Sequence, residues 1–273
     1  MTDTETLLAA YDAQMRGAPP NPPAGVTYEQ DGPVVRVVGQ VCGYVAAASD
    51  LGVRGAELDE LIVRQRDYFG VRGESLKWKV RGYDRPTELT GRLLAAGFVA
   101  EEPETVVVGI VEDLTVRQSV LPDGVTVRQV TAETDMRRIA ALESAVWEQD
   151  LHWLADDLIG RIAAAPDGIA VFVAEADGEV VSAAWIIFRE ASEFASLYGG
   201  STLTAWRGRG IYRALVAARA ELAAAREVPY LHVDASADSH PVLRGLGFRA
   251  VTTTTPYVWS PPGPQDLSSD DRP

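Results

Sequence analysis

The chain has 273 residues, 47% of them hydrophobic, and a formal net charge of −14. That is apolar material for one large domain or two small ones, with a surface field that disfavours nucleic acid as a partner. The acidic opening MTDTETLLAAYDAQM lacks the basic-then-apolar order of a signal peptide, and no apolar run approaches the roughly 18 residues of a membrane span, so a cytoplasmic protein without membrane contact is expected. The one cysteine, Cys42, stands near no His or Asp cluster of metal-ligand spacing; it reads as a buried small hydrophobe, and no metal site is expected. Lys77 and Lys79 are the only lysines. The remaining cations are arginines, whose forks suit phosphate oxygens.

The pattern predicts an α/β fold. After a helical start, GAPPNPPAG (17–25) is a break, and 34–39 and 43–48 are β-branched runs that read as strands. Leu58, Leu61, Ile62 and Tyr68 recur at helical spacing over 56–69, with Gly70 as the stop. SLKWKVRG then alternates as a strand, PTELTGRLLAAG is a helix running into Gly97, and 104–111 is a strand. A second passage opens with a strand at 125–130 and a helix capped by Thr134, along which Met136, Ile139, Leu142 and Val146 step by three and four. A helix over 153–164, the turn at 166–168 and a hairpin with an Asp-Gly turn follow. FASLYGGSTLTAW is the next strand, with Gly199 and Gly200 as a bulge. Then come a helix to about Glu227, the strand YLHVDAS, a short helix at PVLRGLG, a last strand near TTPYVW and a disordered tail at 263–273. Residues 93–108 and 243–258 both run helix, Gly-Phe, strand, a weak internal repeat. The expected domains are 1–115 and 116–262.

Between strand and helix stands Arg207-Gly208-Arg209-Gly210, with Arg213 one turn on. The first turn of a helix exposes unpaired N–H groups and roughly half a positive charge, and glycines let an oxygen approach the backbone. Three cations at that positive end call for an anion, and a pyrophosphate fits; a glycine turn with solvated arginines is the plain alternative. The P-loop is excluded because no lysine is present here, and G-x-G-x-x-G fails because Arg213 holds the place of its third glycine.

Residues 125–260 resemble the GNAT superfamily of acetyl-CoA-dependent N-acyltransferases. Its hallmark (Q/R)-x-x-G-x-(G/A) falls on Arg207, Gly208, Arg209, Gly210, Ile211 and Tyr212, with Tyr212 departing from the small residue. The first half looks like a degenerate copy without the motif, as in tandem GNAT proteins; the implied fold is two halves, each a mixed twisted sheet flanked by helices. The resemblance implies acetyl-CoA as cofactor, pantetheine pairing by the backbone of Leu203, Thr204 and Ala205, and pyrophosphate binding by backbone groups from Gly208 to Arg213. The family's asparagine and tyrosine near the thiol fall on Ser236 and Leu243, and leucine donates no proton.

Acyl transfer from a thioester needs a neutral amine, donors for the carbonyl and a proton for the leaving thiolate. Neutralising an amine of pKa about 10.4 at pH 7 costs roughly 4–5 kcal/mol, against about 1 for an α-amine near 7.8. The candidate bases are Glu143, Glu148, Asp150, Glu190 and Glu193. The candidate acids are Tyr212, Tyr257, Ser239 and His240, although Ser239 also reads as a helix cap. Glu148, Glu143 and Tyr212 are taken as the catalytic set. The segment EQDLH between Trp147 and Trp153 is expected to form part of the acceptor site. His232 reads as an ordinary strand residue. The leading reading is an N-acetyltransferase acting on a small-molecule or peptide amine, with a homodimer as the family's prior. A non-catalytic acyl-CoA sensor or assembly module is the second, and binding of another phosphorylated small molecule the third.

Overall fold

A computed structural model describes residues 3–17, 25–114 and 120–262. In chain order it forms α1 (Thr4–Met15), β1 (Thr27–Asp31), β2 (Val34–Val38), β3 (Gly43–Ala47), α2 (Gly55–Val71), β4 (Leu76–Arg81), α3 (Leu89–Ala95), β5 (Val99–Ala100), β6 (Glu104–Ile110) and α4 (Val111–Leu114). It continues with β7 (Val125–Val130), α5 (Glu133–Trp147), α6 (Trp153–Ala164), β8 (Ile169–Ala176), β9 (Glu179–Phe188), β10 (Phe194–Thr202), α7 (Ile211–Ala225), β11 (Tyr230–Ala235), α8 (Ser239–Gly245) and β12 (Arg249–Trp259). The expected mixed α/β architecture is present.

The chain divides into two units that are not sequential. One takes Met1–Ala24 and Glu104–Thr253, the other Gly25–Pro103 and Thr254–Pro273. This division differs from a boundary at residue 115, because the strand closing each half of the sequence pairs inside the other unit. β6 follows α3 and Gly97-Phe98 yet lies antiparallel to β11, and Thr254–Trp259 of β12 follows α8 and Gly247-Phe248 yet lies antiparallel to β4. The Gly-Phe repeat thus marks two equivalent strands that have traded places.

In the first unit the strand order is β6–β11–β10–β9–β8–β7, antiparallel except for β10 beside β11. Successive side chains point to opposite faces of a strand, and in the central strands β8 and β9 both faces are apolar and buried. Val107 of β6 packs with Leu215, Ala220 and Ala223 of α7, while its neighbours Val106 and Val108 pack with Leu7 and Tyr11 of α1. Helices α5 and α6 bury Met136, Ile139 and Leu158 against Val171 and Val173 of β8. The β8–β9 turn holds Asp177 and Gly178 at positive φ, 51° and 82°, as its Asp-Gly sequence predicts. Arg128 of β7 donates two bonds each to Asp135 of α5 and Glu175 of β8, and Arg138 joins both acids, tying helix to hairpin.

In the second unit the order is β1–β2–β3–β4, followed by the last residues of β12, with β3 parallel to β4. Leu58, Leu61, Ile62 and Phe69 of α2 and Leu89 and Leu93 of α3 bury against Trp78 and Tyr257.

Several local expectations change. Thr134 lies inside α5, whose N-cap is Ala132, and Ser239 lies inside α8, whose N-cap is Asp238. Gly70 falls one residue inside α2. The strand expected to reach Trp206 ends at Thr202, and Thr204–Trp206 is a single 3₁₀ turn. Strand β1, polar along its length, lacks the apolar signal that marks its neighbours. Cys42 is half-buried rather than core. The tail at 263–273 and most of the break at 17–25 lie outside the described residues. Among the described residues no helix is long and apolar enough to cross a membrane.

Candidate functional site

The site grows from a gap between two parallel strands. β10 pairs with β9 along Ala195–Thr202, but with β11 only from Phe194↔Tyr230 to Ser196↔His232. Beyond Ser196 β10 has no second strand partner among the described residues; the Tyr198, Ser201 and Thr202 carbonyls accept side-chain bonds from Arg219, Ser182 and Arg207, and the parting of the strands leaves room for an extended, amide-bearing ligand. A bulge between Gly199 and Ser201 bends β10 along this open edge.

The gap leads to the arginine-glycine collar. Gly208 and Gly210 take positive φ, 71° and 84°, and Gly210 is the N-cap of α7. Glycine has no side-chain oxygen to cap with, and among the described residues α7 has no side-chain cap bond; the Ala214 N–H donates to the Gly210 carbonyl at 3.0 Å. A Cβ on Gly208 would meet nothing within 4 Å, so the backbone there is open to approach. Arg207, Arg209 and Arg213 are exposed around this helix start. Arg207 Nε donates to Thr202 O at 3.0 Å, bracing the collar to the end of β10, and the Arg209 guanidinium lies 4.9 Å from the Trp206 ring centre. An uncapped 15-residue helix, a side-chain-free approach and three exposed guanidinium groups fit a pyrophosphate.

Leu203, Thr204 and Ala205 are less open than an extended edge. The Leu203 N–H donates to Val181 O, the Leu203 carbonyl accepts from Trp206 N–H, and the Thr204 carbonyl accepts from Arg207 N–H. The strand parting of this passage therefore lies along β10 before Leu203, a shift caused by the 3₁₀ turn.

Tyr212 turns its ring onto the sheet. A Cβ on Gly200, itself at φ 89°, would come within 2.6 Å of the Tyr212 ring. Only glycine allows this approach, and burial pushes the Tyr212 hydroxyl pKa up, keeping it protonated at neutral pH. Beneath the same bulge lies Arg219, fully buried, its guanidinium donating to the carbonyls of Leu215, Trp185 and Tyr198. Burial lowers its pKa to about 10. The signal in the sequence for Arg219 is its spacing of four from Leu215 and eight from Ile211, which sets it on the buried face of α7.

The candidate carboxylates separate clearly. Glu143 is 3% exposed; its Oε2 accepts from Ser201 Oγ at 2.7 Å and from Trp147 Nε1 at 2.9 Å, while Oε1 is buried without a partner among the described residues. Burial raises its pKa against the two donors, which lower it. Because Ser201 lies on the open stretch of β10, Glu143 is attached directly to the gap. Glu148 is exposed and caps α5 in the left-handed conformation, φ 54°, and Asp150 is exposed beside His152. Glu193 precedes the paired end of β10 and accepts from Gln14. Glu190 is exposed in the β9–β10 turn.

Of the other expected groups, Leu243 is fully buried in the α7 core, and Tyr257 belongs to the second unit's core. Ser236 Oγ accepts from Ser239 N–H at 3.3 Å and the Ser236 carbonyl from His240 N–H at 2.9 Å, so Ser236 anchors the start of α8. His232, expected to be an ordinary strand residue, is hydrogen-bonded at both ring nitrogens, to Ser196 and Asp234.

The second unit repeats the parting strands without the opening. β3 and β4 pair only from Gly43↔Leu76 to Val45↔Trp78, and α2 starts at Gly55. There the Gly55 N–H donates to the Glu88 carboxylate at 2.8 Å, and Arg85 exchanges backbone bonds with Ser49 and Leu51. That bond and Arg92 draw the Glu88 pKa down. The chain supplies its own anion at this helix start.

Residues 133–248 match the sequence model of the Acetyltransferase (GNAT) family, and that span is a GNAT domain. The fold resembles a GCN5-related N-acetyltransferase from Kribbella flavida over 95% of both chains, with a TM-score of 0.67 at 17% identity. It also resembles a tandem GNAT protein from the clavulanic acid biosynthesis pathway over 96% of this chain and 95% of that one, TM-score 0.62, 16% identity. A putative GNAT acetyltransferase from Novosphingobium aromaticivorans is similar over 86% and 92%, TM-score 0.53, 22% identity. No curated protein sequence matches the chain.

Proposed function

We propose that the first unit is an acetyl-CoA-dependent N-acetyltransferase and that Glu143 is its proton acceptor. The observation carrying this reading is the buried Glu143 carboxylate, bonded through Ser201 to the open edge of β10, in the same unit as an uncapped, arginine-ringed helix start.

Bound acetyl-CoA supplies a thioester whose carbonyl is open to attack by an amine. The collar of Arg207 to Arg213 holds the diphosphate by backbone N–H groups and guanidinium charge. The open edge of β10 pairs with the amide-bearing arm and directs it along the gap. Glu143, with its raised pKa, takes the proton of an ammonium acceptor better than an ordinary exposed carboxylate, and Trp147 and Ser201 hold it in place. Tyr212, partly buried and protonated, is the proton donor on the α7 side. The acceptor enters past Trp147 and Trp153, both substantially exposed at the α5–α6 end.

The test is calorimetric titration with acetyl-CoA, followed by thiol release over a panel of amines. Saturable binding lost in Arg207→Ala and Gly210→Trp, with amine-dependent thiol release, supports the reading. Binding without thiol release from any amine returns the protein to the acyl-CoA sensor class. Competition by free phosphate or nucleotide as strong as by coenzyme A rejects both.

A further inference from the structure

We propose that Asp234 is the acceptor-binding carboxylate of the β10/β11 gap, oriented by His232 and, behind it, Ser196. The inference rests on the acyltransferase reading and names the class of acceptor, a primary alkylammonium ion.

The three residues form one hydrogen-bonded chain. His232 Nδ1 lies 3.2 Å from Ser196 Oγ, and Nε2 lies 3.0 Å from Asp234 Oδ1. Ser196 and His232 are the last paired residues of β10 and β11, so the chain begins where the strands part. Two residues further along β11, Asp234 shares the face of His232 and lies beyond the parting. The groups facing the ring are Tyr11 from α1, with ring centres 5.2 Å apart, Ser196 from β10, Val108 opposite on β6, and Asp234 on its own strand.

The bonding order follows from chemistry. An ionised carboxylate only accepts, so Nε2 carries the ring proton and Nδ1 accepts the Ser196 hydroxyl proton. With both nitrogens engaged, His232 meets no substrate and is a positioning residue. Its side chain is 11% exposed, that of Asp234 19%. A carboxylate oriented by His232 just beyond the parting of β10 and β11 suits an ammonium ion, and the acidic chain favours such an encounter. Glu143 and Asp234 then divide the work, one taking the proton and the other holding the cation.

The test separates KM from kcat. With acetyl-CoA saturating, Asp234→Asn is expected to raise the KM of n-butylamine about tenfold or more, leaving its kcat within about threefold and the KM of a neutral arylamine unchanged. His232→Leu is expected to follow Asp234→Asn. His232→Gln, whose amide still donates to the carboxylate, is expected to recover most of the affinity. Calorimetry of n-butylammonium on the coenzyme A-loaded protein gives the same ranking without turnover. An unchanged n-butylamine KM in Asp234→Asn, with acetyl-CoA binding intact, overturns this inference alone. An equal loss for arylamine and alkylamine overturns it too, as a folding effect, whereas a wild-type protein that binds no acetyl-CoA overturns the acyltransferase reading itself.

Discussion

Ser201 donates its hydroxyl proton to Glu143 Oε2 across 2.7 Å, fastening the end of α5 to the stretch of β10 that borders the gap. Trp147, one turn beyond Glu143, donates to the same oxygen and stands 3.1 Å from Ser201 Oγ, so helix, strand and carboxylate form one closed triangle. A buried carboxyl held this way is costly to ionise, and that cost makes it a competent base.

Replacing Glu143 by Gln is therefore expected to lower kcat for a strongly basic alkylamine by roughly 10²-fold or more, and to matter less for an α-amine, which is nearly neutral at pH 7. The stability effect has the opposite sign. The folded pKa of Glu143 lies above its unfolded value, so its contribution to stability is fully present below the unfolded pKa and is lost as pH rises through the folded one. The Tm of Glu143→Gln relative to wild type is expected to improve from pH 4 to pH 8. A Tm difference that is flat over that range, or equal loss of kcat for both amines, removes Glu143 from the role.

One acetyl-CoA is expected per chain, although the strand parting occurs twice. The collar at Gly210 offers an uncapped helix start, whereas at Gly55 the Glu88 carboxylate already occupies the equivalent place. Calorimetry should return a stoichiometry of one, and Gly210→Trp should remove all of it. Glu88→Gln, which takes the charge from the α2 start, should lower Tm and leave acetyl-CoA affinity unchanged. A stoichiometry of two contradicts the internal-anion account.

Much of this was legible in the sequence because it rests on local chemistry. The R-G-R-G collar, the Asp-Gly hairpin and the apolar steps of α5 and α6 each carry their cause within a few residues. The glycines at 199 and 200 signalled the bulge, but not that Tyr212 fills the space they leave. What stayed hidden depends on pairing between distant strands. No periodicity shows that β6 crosses to β11, or that Thr254–Trp259 crosses to β4, because either position buries the same apolar faces. Likewise Ser196 and His232 are 36 residues apart and become partners only through the β10/β11 register. Glu143 could be nominated from its helix, but its burial depends on Ser201, 58 residues away.

Acid is expected to unfasten the first unit at the Arg128 cluster. Glu175, bonded by Arg128 and then Arg138, has its pKa lowered to about 2, and Asp135 is drawn down chiefly by its bond to Arg128. Folded values below the unfolded ones mean that the stability is present above about pH 4.5 and is lost progressively as pH falls toward about 2. Arg128→Met should therefore lower Tm clearly at pH 7 and very little near pH 2. A Tm deficit of the same size at both pH values excludes an electrostatic origin.

Gly200 and Tyr212 should behave as one unit. Alanine at position 200 meets two costs at once: φ of 89° is a left-handed conformation that L-residues resist, and the new Cβ falls within 2.6 Å of the Tyr212 ring. Strain of about 1–2 kcal/mol and overpacking of about 1–3 kcal/mol give an expected destabilisation of roughly 2–5 kcal/mol. Tyr212→Ala alone leaves a cavity, costing about 2–4 kcal/mol for a large aromatic in a partly exposed site. In the double variant the added methyl has room, so the overpacking part disappears while the backbone strain stays. The double-mutant cycle should show a favourable coupling of about 1–3 kcal/mol by urea unfolding. Simple additivity shows that the ring yields freely, and Tyr212 then lacks the fixed position that a proton donor beside the gap requires.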